Sequence, residues 1–209
     1  HTVVFNRTPP HDFLCLQVVF QPTGLFRLTG MSCTELHNQY LDGELLFSSQ
    51  VRLINEQLFH AQTYEDMLAI GNGFVRSLKC RVSRPASALD KVSKLILYKE
   101  GNISLDWLAR ESSCSTKQFE RNFSQRTGVT PKIFSRITRF DKAFRMRNQF
   151  PDLDWLSIAI TCGYYDYQHM SKDYHDFTGL TPPEFHRIDN QSPERSFGLR
   201  EGASRILID

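Results

Sequence analysis

The feature that most constrains this 209-residue chain is a short passage written twice. Thr127-Gly128-Val129-Thr130-Pro131 returns as Thr178-Gly179-Leu180-Thr181-Pro182, 51 residues on. Upstream, Leu108-Ala109 returns as Ile158-Ala159, 50 residues on, and between these anchors Phe119 and Phe123 correspond to Met170 and Tyr174. A near-repeat of this kind means that one supersecondary unit is built two times. The one-residue difference falls between the paired helices, where turns absorb insertions.

Each copy reads as helix, turn, helix. In the first, Leu105, Leu108 and Ala109 make an apolar stripe at helical spacing, and Ser112-Ser113 interrupts it. Ser115, with Gln118 three residues later, is a capping-box pattern opening a second helix. Phe119 and Phe123 give that helix a buried face, Gly128 suits a left-handed cap, and Thr130-Pro131 starts the next helix. In the second copy Trp155, Ile158 and Ala159 make the stripe, Gly163 permits a tight turn and Asp166 caps the next helix. Met170, Tyr174 and Phe177 turn inward and Gly179 ends the helix. From Pro131 to about Asn148, Ile133, Phe134, Ile137, Phe140 and Phe144 fall on one side, with Lys132, Arg136 and Arg139 on the other. That pattern predicts a joining helix roughly 25 Å long. Such a rod could hold two reading helices near one turn of duplex DNA apart, roughly 34 Å.

Removing the inward positions leaves Lys117, Glu120, Arg121 and Ser124 on the second helix of the first copy, and Gln168, Ser171, Lys172 and His175 on that of the second. Thr116 and Tyr167 sit at the N-terminal tips. Arg121 suits a bidentate contact to guanine and Gln168 one to adenine, while Glu120 can accept from cytosine or orient Arg121. Lys117 and Lys172 suit phosphates, which position rather than specify. The net charge of +2 gains meaning only when divided: residues 91–189 hold fifteen Lys/Arg against twelve Asp/Glu. Six of those cations lie between Lys132 and Arg147, opposed by Asp141 alone. From Asp152 to Pro182 there are five aspartates and one lysine, so the first copy and the joining helix are expected to supply most phosphate attraction. Residue by residue, a solvated helix face reads the same way; the shared register is what points to DNA.

The stretch from about Leu89 to Arg187 resembles the AraC/XylS family of transcription regulators. The resemblance rests on Leu108-Ala109, Ser115, Phe119, Phe123, Gly128 and Pro131, then on Ile158-Ala159, Gly163-Tyr164, Met170, Tyr174, Gly179 and Thr181-Pro182-Pro183-Glu184-Phe185. It implies a mainly α fold: tandem, homeodomain-like helix-turn-helix units at 103–131 and 152–182, joined by a long linker helix within a domain of 85–189. The recognition helices would be approximately Ser115–Arg126 and Asp166–Phe177. The resemblance supports Lys117, Glu120, Arg121, Tyr167, Gln168, Ser171 and Lys172 as contacts. Departures are Tyr164 and Tyr174, where phenylalanine is usual, and Ser113 at a frequent glycine position. The partners implied are double-stranded DNA and RNA polymerase, for a sequence-specific regulator of the activating kind with no cofactor; the sequence leaves open whether a small-molecule effector exists.

Upstream, Phe13 to Phe20 is strand-like and closes on the turn Gln21-Pro22-Thr23-Gly24, so residues 1–30 read as a short β remnant of a cupin-like sensor. Residues 31–84 read as a small helical connector. Val51, Ile54, Leu58 and Phe59 recur at helical spacing, and Thr63 caps a helix carrying Met67, Leu68, Phe74, Val75 and Leu78. Pairing of two chains through residues 51–80 is expected. Ser83 to Ser87 is a linker pattern, and residues 190–209 form a polar tail in which Arg205-Ile206-Leu207-Ile208 could dock. The absence of Met at position 1 suggests a truncated N-terminus.

The five cysteines, Cys15, Cys33, Cys80, Cys114 and Cys162, contain no CxxC pair and read as buried, inert thiols in a cytoplasmic bacterial protein. No apolar run reaches the roughly 20 residues of a membrane span. Catalysis is not expected: the sequence has no GxGxxG, P-loop, GxSxG or HExxH, and His60 near Glu56 is explained by a surface contact. No metal site is expected either. The other reading is a protein-binding module that keeps the fold without the DNA.

Overall fold

Two large apolar side chains on one helix face, Phe119 and Phe123 in the first copy and Met170 and Tyr174 in the second, and a glycine past the helix end dictate the same local structure in both, and the rest of the fold is arranged around them. The computed structural model describes residues 16–36, 39, 41–82 and 85–192. In chain order its helices are α1 (Gly24–Thr29), α2 (Gly43–Phe47), α3 (Gln50–His60), α4 (Tyr64–Cys80), α5 (Ala88–Tyr98), α6 (Leu105–Glu111), α7 (Thr116–Thr127), α8 (Pro131–Gln149), α9 (Trp155–Thr161), α10 (Tyr167–Thr178) and α11 (Pro182–Asp189). A 3-10 turn, Cys33–Leu36, follows α1. The fold is mainly α, as expected, with helix-turn-helix units formed by α6–α7 and α9–α10.

Contacts gather the chain into two compact units. Among the described residues, the first takes in those between 16 and 94 and between 105 and 131, the second those of 95–104 and 132–192. In the first unit α6 and α7 bury Leu108, Ala109, Phe119 and Phe123, with Leu89 and Val92 of α5 also buried. The rings of Phe119 and Phe123 lie 5.8 Å apart. α1 and the 3-10 turn pack on α7, and a charged network fastens that junction. Arg126 in the last turn of α7 donates to Asp90 Oδ1 at 2.6 Å and to Ser87 Oγ at 3.0 Å. Ser87 donates through its backbone N–H and its hydroxyl to Asp90 Oδ2, which makes the N-terminal box of α5. The Arg126 guanidinium lies over the Phe26 ring, 5.1 Å from its centre. Asp90 is 3% exposed. Burial pushes its carboxyl up, but Arg126, Ser87 and Thr23 outweigh this and hold it below the usual carboxylate range.

α3 and α4 pack as a hairpin. Thr63 caps α4 by accepting from Asp66 N at 3.1 Å, as its position predicts. The expected β remnant is not found: Leu16 to Phe20 form no strand, and none occurs among the described residues; residues 13–15 lie outside them. A lone extended segment has no ladder to stabilise it. Instead a Cβ on Gly71 would touch Leu16, and Phe20 stacks on Phe47 of α2 at 6.3 Å, which meets Phe74 of α4 edge-on at 6.4 Å. The turn at 21–24 does form, with Gly24 N donating to Gln21 O at 2.8 Å.

In the second unit Ala143, Ile158, Ala159, Cys162, Tyr164, Met170 and Tyr174 form the core, with Phe140, Met146, Leu153, Trp155, Tyr167 and Phe185 packed around it. α11 opens with a full capping box, Thr181 and Glu184, and a proline in its first turn. The linker α8 corrects the face assigned to it. Ile133 and Ile137 are 38% and 40% exposed, whereas Arg136 and Arg139 are half-buried. Ala143 and Thr138 lie innermost, and the two arginines run along the unit because carboxylates, a carbonyl and aromatic rings there accept them.

The thiols are also less uniform than expected. Cys33 and Cys162 are buried, Cys114 is half-buried, and Cys80 is exposed at the end of α4. Burial pushes the Cys162 thiol up to about 11. Cys15, Ser83, Arg84 and Arg205 to Ile208 lie outside the described residues.

Candidate nucleic-acid interface

The two copies agree at the level of single hydrogen bonds. In the turn, Cys114 N donates to Ala109 O at 3.1 Å in the first copy and Tyr164 N to Ala159 O at 3.0 Å in the second. Ser115 caps α7 by accepting from Gln118 N, and Asp166 caps α10 by accepting from His169 N at 2.7 Å. At the far end Gly128 N bonds Ser124 O and Gly179 N bonds His175 O, each glycine in the left-handed region. Thr127 and Thr178 then donate back to Phe123 O and Tyr174 O, at 2.9 and 2.7 Å. One position breaks the agreement. Gly163, at φ +82°, is matched in the first copy by Ser113 at φ +55°, so a serine occupies a left-handed site that favours glycine.

This shared frame sets which side chains face outward. On α7, Lys117 and Arg121 are exposed and Glu120 and Ser124 half-buried. Thr116, at the tip, donates to Asp106 Oδ1 at 2.9 Å, which ties the start of α7 to α6. On α10, Gln168, Lys172 and His175 are exposed and Ser171 is half-buried. Tyr167 is half-buried and packs against the core of its unit. The outward sets read from the sequence therefore share one face of each helix, as 100° per residue requires.

The basic stretch of α8 behaves differently from its sequence-level reading. Lys132 is exposed and has no ion-pair partner among the described residues. The other five cations have partners within the unit. Arg136 bonds Asp173 and Asp176 of α10. Arg139 donates to Gly101 O at 3.1 Å and lies over the Tyr164 ring. Lys142 meets Glu100 and Thr161 O, Arg145 meets Asp141, and Arg147 donates to Leu153 O above the Trp155 ring. A run of positive charge in the sequence is here mainly internal bonding.

Four of the five aspartates between Asp152 and Pro182 are likewise occupied. Asp154 and Asp166 are N-caps, and Asp173 and Asp176 face Arg136. Their acidity is offset locally rather than presented to a polyanion. Tyr165, 85% exposed and next to the cap of α10, went unremarked in the sequence reading. Its place between Gly163 and Asp166, on the lip of the turn, was the signal for it. Burial pushes the hydroxyls of Tyr164 and Tyr174 up, with Asp173 adding to the effect at Tyr164. Among the described residues no cluster of His, Cys, Asp or Glu could hold a metal ion, and no helix is long and apolar enough to cross a membrane.

Residues 108–188 match a family model described as a helix-turn-helix domain. Among curated proteins the chain is 27% identical over 159 residues to the HTH-type transcriptional activator RhaR of Salmonella dublin, covering 69% of this chain and 56% of that one. It is 29% identical over 106 residues to the HTH-type transcriptional regulator ArgR of Pseudomonas aeruginosa, covering 49% and 32%. To RhaR of Escherichia coli O1:K1 it is 26% identical over 149 residues, covering 71% and 47%. The chain thus spans about half or less of the length of these relatives.

Proposed function

We propose that this chain is an AraC-family helix-turn-helix transcription regulator, which reads duplex DNA by inserting α7 and α10 into adjacent segments of the major groove and so raises transcription; the helix-turn-helix match and the similarity to transcriptional regulators support the reading. The observation that carries this reading is the duplicated outward register: Lys117, Glu120, Arg121 and Ser124 on one helix and Gln168, Ser171, Lys172 and His175 on the other, each on a helix capped the same way. Arg121 and Gln168 read base edges. Lys117, Lys172 and Lys132 meet phosphates. Glu120 and Ser124 flank Arg121, and Thr116, Tyr167 and the exposed Tyr165 approach the backbone at the helix tips. Raised transcription rests on the relatives named as activators. RNA polymerase is the partner such an activator requires. Residues 85–189 are the DNA-binding part and 31–84 the connector, where a second copy pairs through α3 and α4; a small-molecule effector would act upstream of them.

Selection of bound fragments from random duplex DNA tests the reading and defines the site together. A consensus with two half-sites about one helical turn apart is the expected result. Affinity for the selected duplex should fall steeply with salt, with a log–log slope of about −0.9 per phosphate contacted. Recovery of no consensus and binding indifferent to salt would replace DNA reading with the protein-binding alternative. Arg121→Ala should cost about 1–3 kcal/mol and relax selectivity at one base position.

A further inference from the structure

Arg136 stands where a phosphate contact was expected, on a linker helix between two DNA-reading units, yet its guanidinium is directed at the second recognition helix. Nε donates to Asp173 Oδ1 at 2.8 Å, and Nη2 bonds the same oxygen at 2.7 Å and also Asp176 Oδ2. The guanidinium plane lies over the ring of Phe177, 5.2 Å from its centre. At 100° per residue, Asp173 and Asp176 occupy the flank of α10 between its buried side (Met170, Tyr174, Phe177) and its outward side (Gln168, Ser171, Lys172, His175). One side chain from α8 thus grips three residues along a single edge of the reading helix. A grip at that place resists rotation of α10 about its own axis, the motion that would turn Gln168 away from a base edge.

We infer that Arg136 is a positioning residue: it sets the rotation of α10 through Asp173 and Asp176, and so governs sequence selectivity without touching DNA. The inference rests on the DNA-reading function proposed above. The first unit supports it with the same device in opposite polarity. There the helix before the motif, α5, contributes the acid Asp90, and the recognition helix α7 contributes the base Arg126, joined at 2.6 Å. The residues of α7 that correspond to Asp173 and Asp176 are the uncharged Asn122 and Gln125. Sequence repetition therefore does not explain the second clamp; each reading helix is held to the helix preceding its motif by its own ion pair. Arg136 also neutralises two carboxylates on the helix that must approach a polyanion.

The wild-type chain, Arg136→Ala, Arg136→Lys, Asp173→Asn/Asp176→Asn and Arg136→Ala in the double-Asn background would be titrated with the wild-type-selected duplex and with a scrambled duplex. Circular dichroism would confirm that each is folded. Wild-type binding to the selected duplex is the separate check on the DNA-reading function itself. For a positioning residue, Arg136→Ala lowers the ratio of selected to scrambled affinity about tenfold, beyond the uniform loss that two unpaired carboxylates add to both, and in the double-Asn background it changes neither affinity nor the salt slope appreciably. Arg136→Lys, which keeps the charge but not the two-pronged geometry, should lose several-fold of the same ratio, and it decides the matter if the alanine variant does not fold. A phosphate contact behaves otherwise: selected and scrambled affinity fall together, the slope drops by about 0.9, the loss is the same in both backgrounds, and lysine substitutes freely. That pattern, or an Arg136→Ala variant with unchanged selectivity, overturns the inference.

Discussion

Gly101 and Gly179 share a left-handed backbone, at φ +77° and +75°, but differ in what surrounds them. A Cβ on Gly179 would meet nothing within 4 Å. On Gly101 it would meet the Ser135 carbonyl oxygen of α8 well inside van der Waals range, with Ser135 C at 3.1 Å and Arg139 Cγ at 3.0 Å. Gly→Ala at either site costs about 1–2 kcal/mol for the left-handed conformation, less about 0.4–1 kcal/mol recovered from a stiffer unfolded chain. The common part is thus on the order of 1 kcal/mol at most, and Gly179→Ala should show only that. Gly101→Ala must also push the loop off the backbone of α8, since a helix carbonyl cannot swing aside as a long side chain can. The displacement strains the bond from Arg139 Nη1 to Gly101 O and the Lys142–Glu100 pair beside it. Losing a hydrogen bond to a charged donor costs about 1.5–3 kcal/mol and the ion pair at most about 1 kcal/mol. Gly101→Ala should therefore destabilise by about 2–4 kcal/mol, a large part of the roughly 5–15 kcal/mol that holds a domain together. Urea unfolding followed by far-UV circular dichroism, with equal m-values, measures both. If Gly179→Ala costs as much as Gly101→Ala, the close approach to Ser135 is not what requires glycine, and the reasoning fails.

Four further outcomes are expected. Ser113→Gly should stabilise by about 0.5–1 kcal/mol in the same unfolding experiment, because it relieves the left-handed serine in the first turn. Tyr174→Phe should be neutral or stabilising by up to about 1 kcal/mol, since the Tyr174 hydroxyl is buried with no hydrogen-bond partner among the described residues; a loss above about 1 kcal/mol would show that the hydroxyl is satisfied. Asp90 titrates below its unfolded value, near 3.9, so its contribution is complete above that pH and is lost as pH falls through the folded value. Asp90→Asn should flatten the acid limb of a stability-against-pH curve, and an unaltered limb would remove Asp90 from it. In labelling with a thiol reagent Cys80 should react before Cys114, with Cys33 and Cys162 reacting only on unfolding.

The candidate site was legible in the sequence where it depended on local grammar. Ser115, Asp166, Gly128 and Gly179 act as caps because their conformations are set within a few residues, and Phe119, Phe123, Met170 and Tyr174 lie inside because helical spacing leaves them no other side. The 3.6-residue period then assigned the outward faces of α7 and α10 by subtraction. The linker was less readable. Arg136 and Arg139 resemble exposed cations in any one-dimensional view, and only the approach of Asp173, Asp176 and Gly101 from 37 to 40 residues away in the chain gives them internal partners.

The sequence by itself determined the helices of the two motifs, their ends and the doubling of the motif, because capping, glycine conformation and hydrophobic period act over one or two turns; the helix Gly24–Thr29, in a stretch read as strand, was not among them. Tertiary structure alone decided which charges remain available to a ligand. A cation is neutralised by whatever carboxylate packing brings within about 3 Å, and that neighbour is chosen by the fold rather than by proximity in sequence. Asp90 beside Arg126, and Asp173 with Asp176 beside Arg136, are cases of that choice.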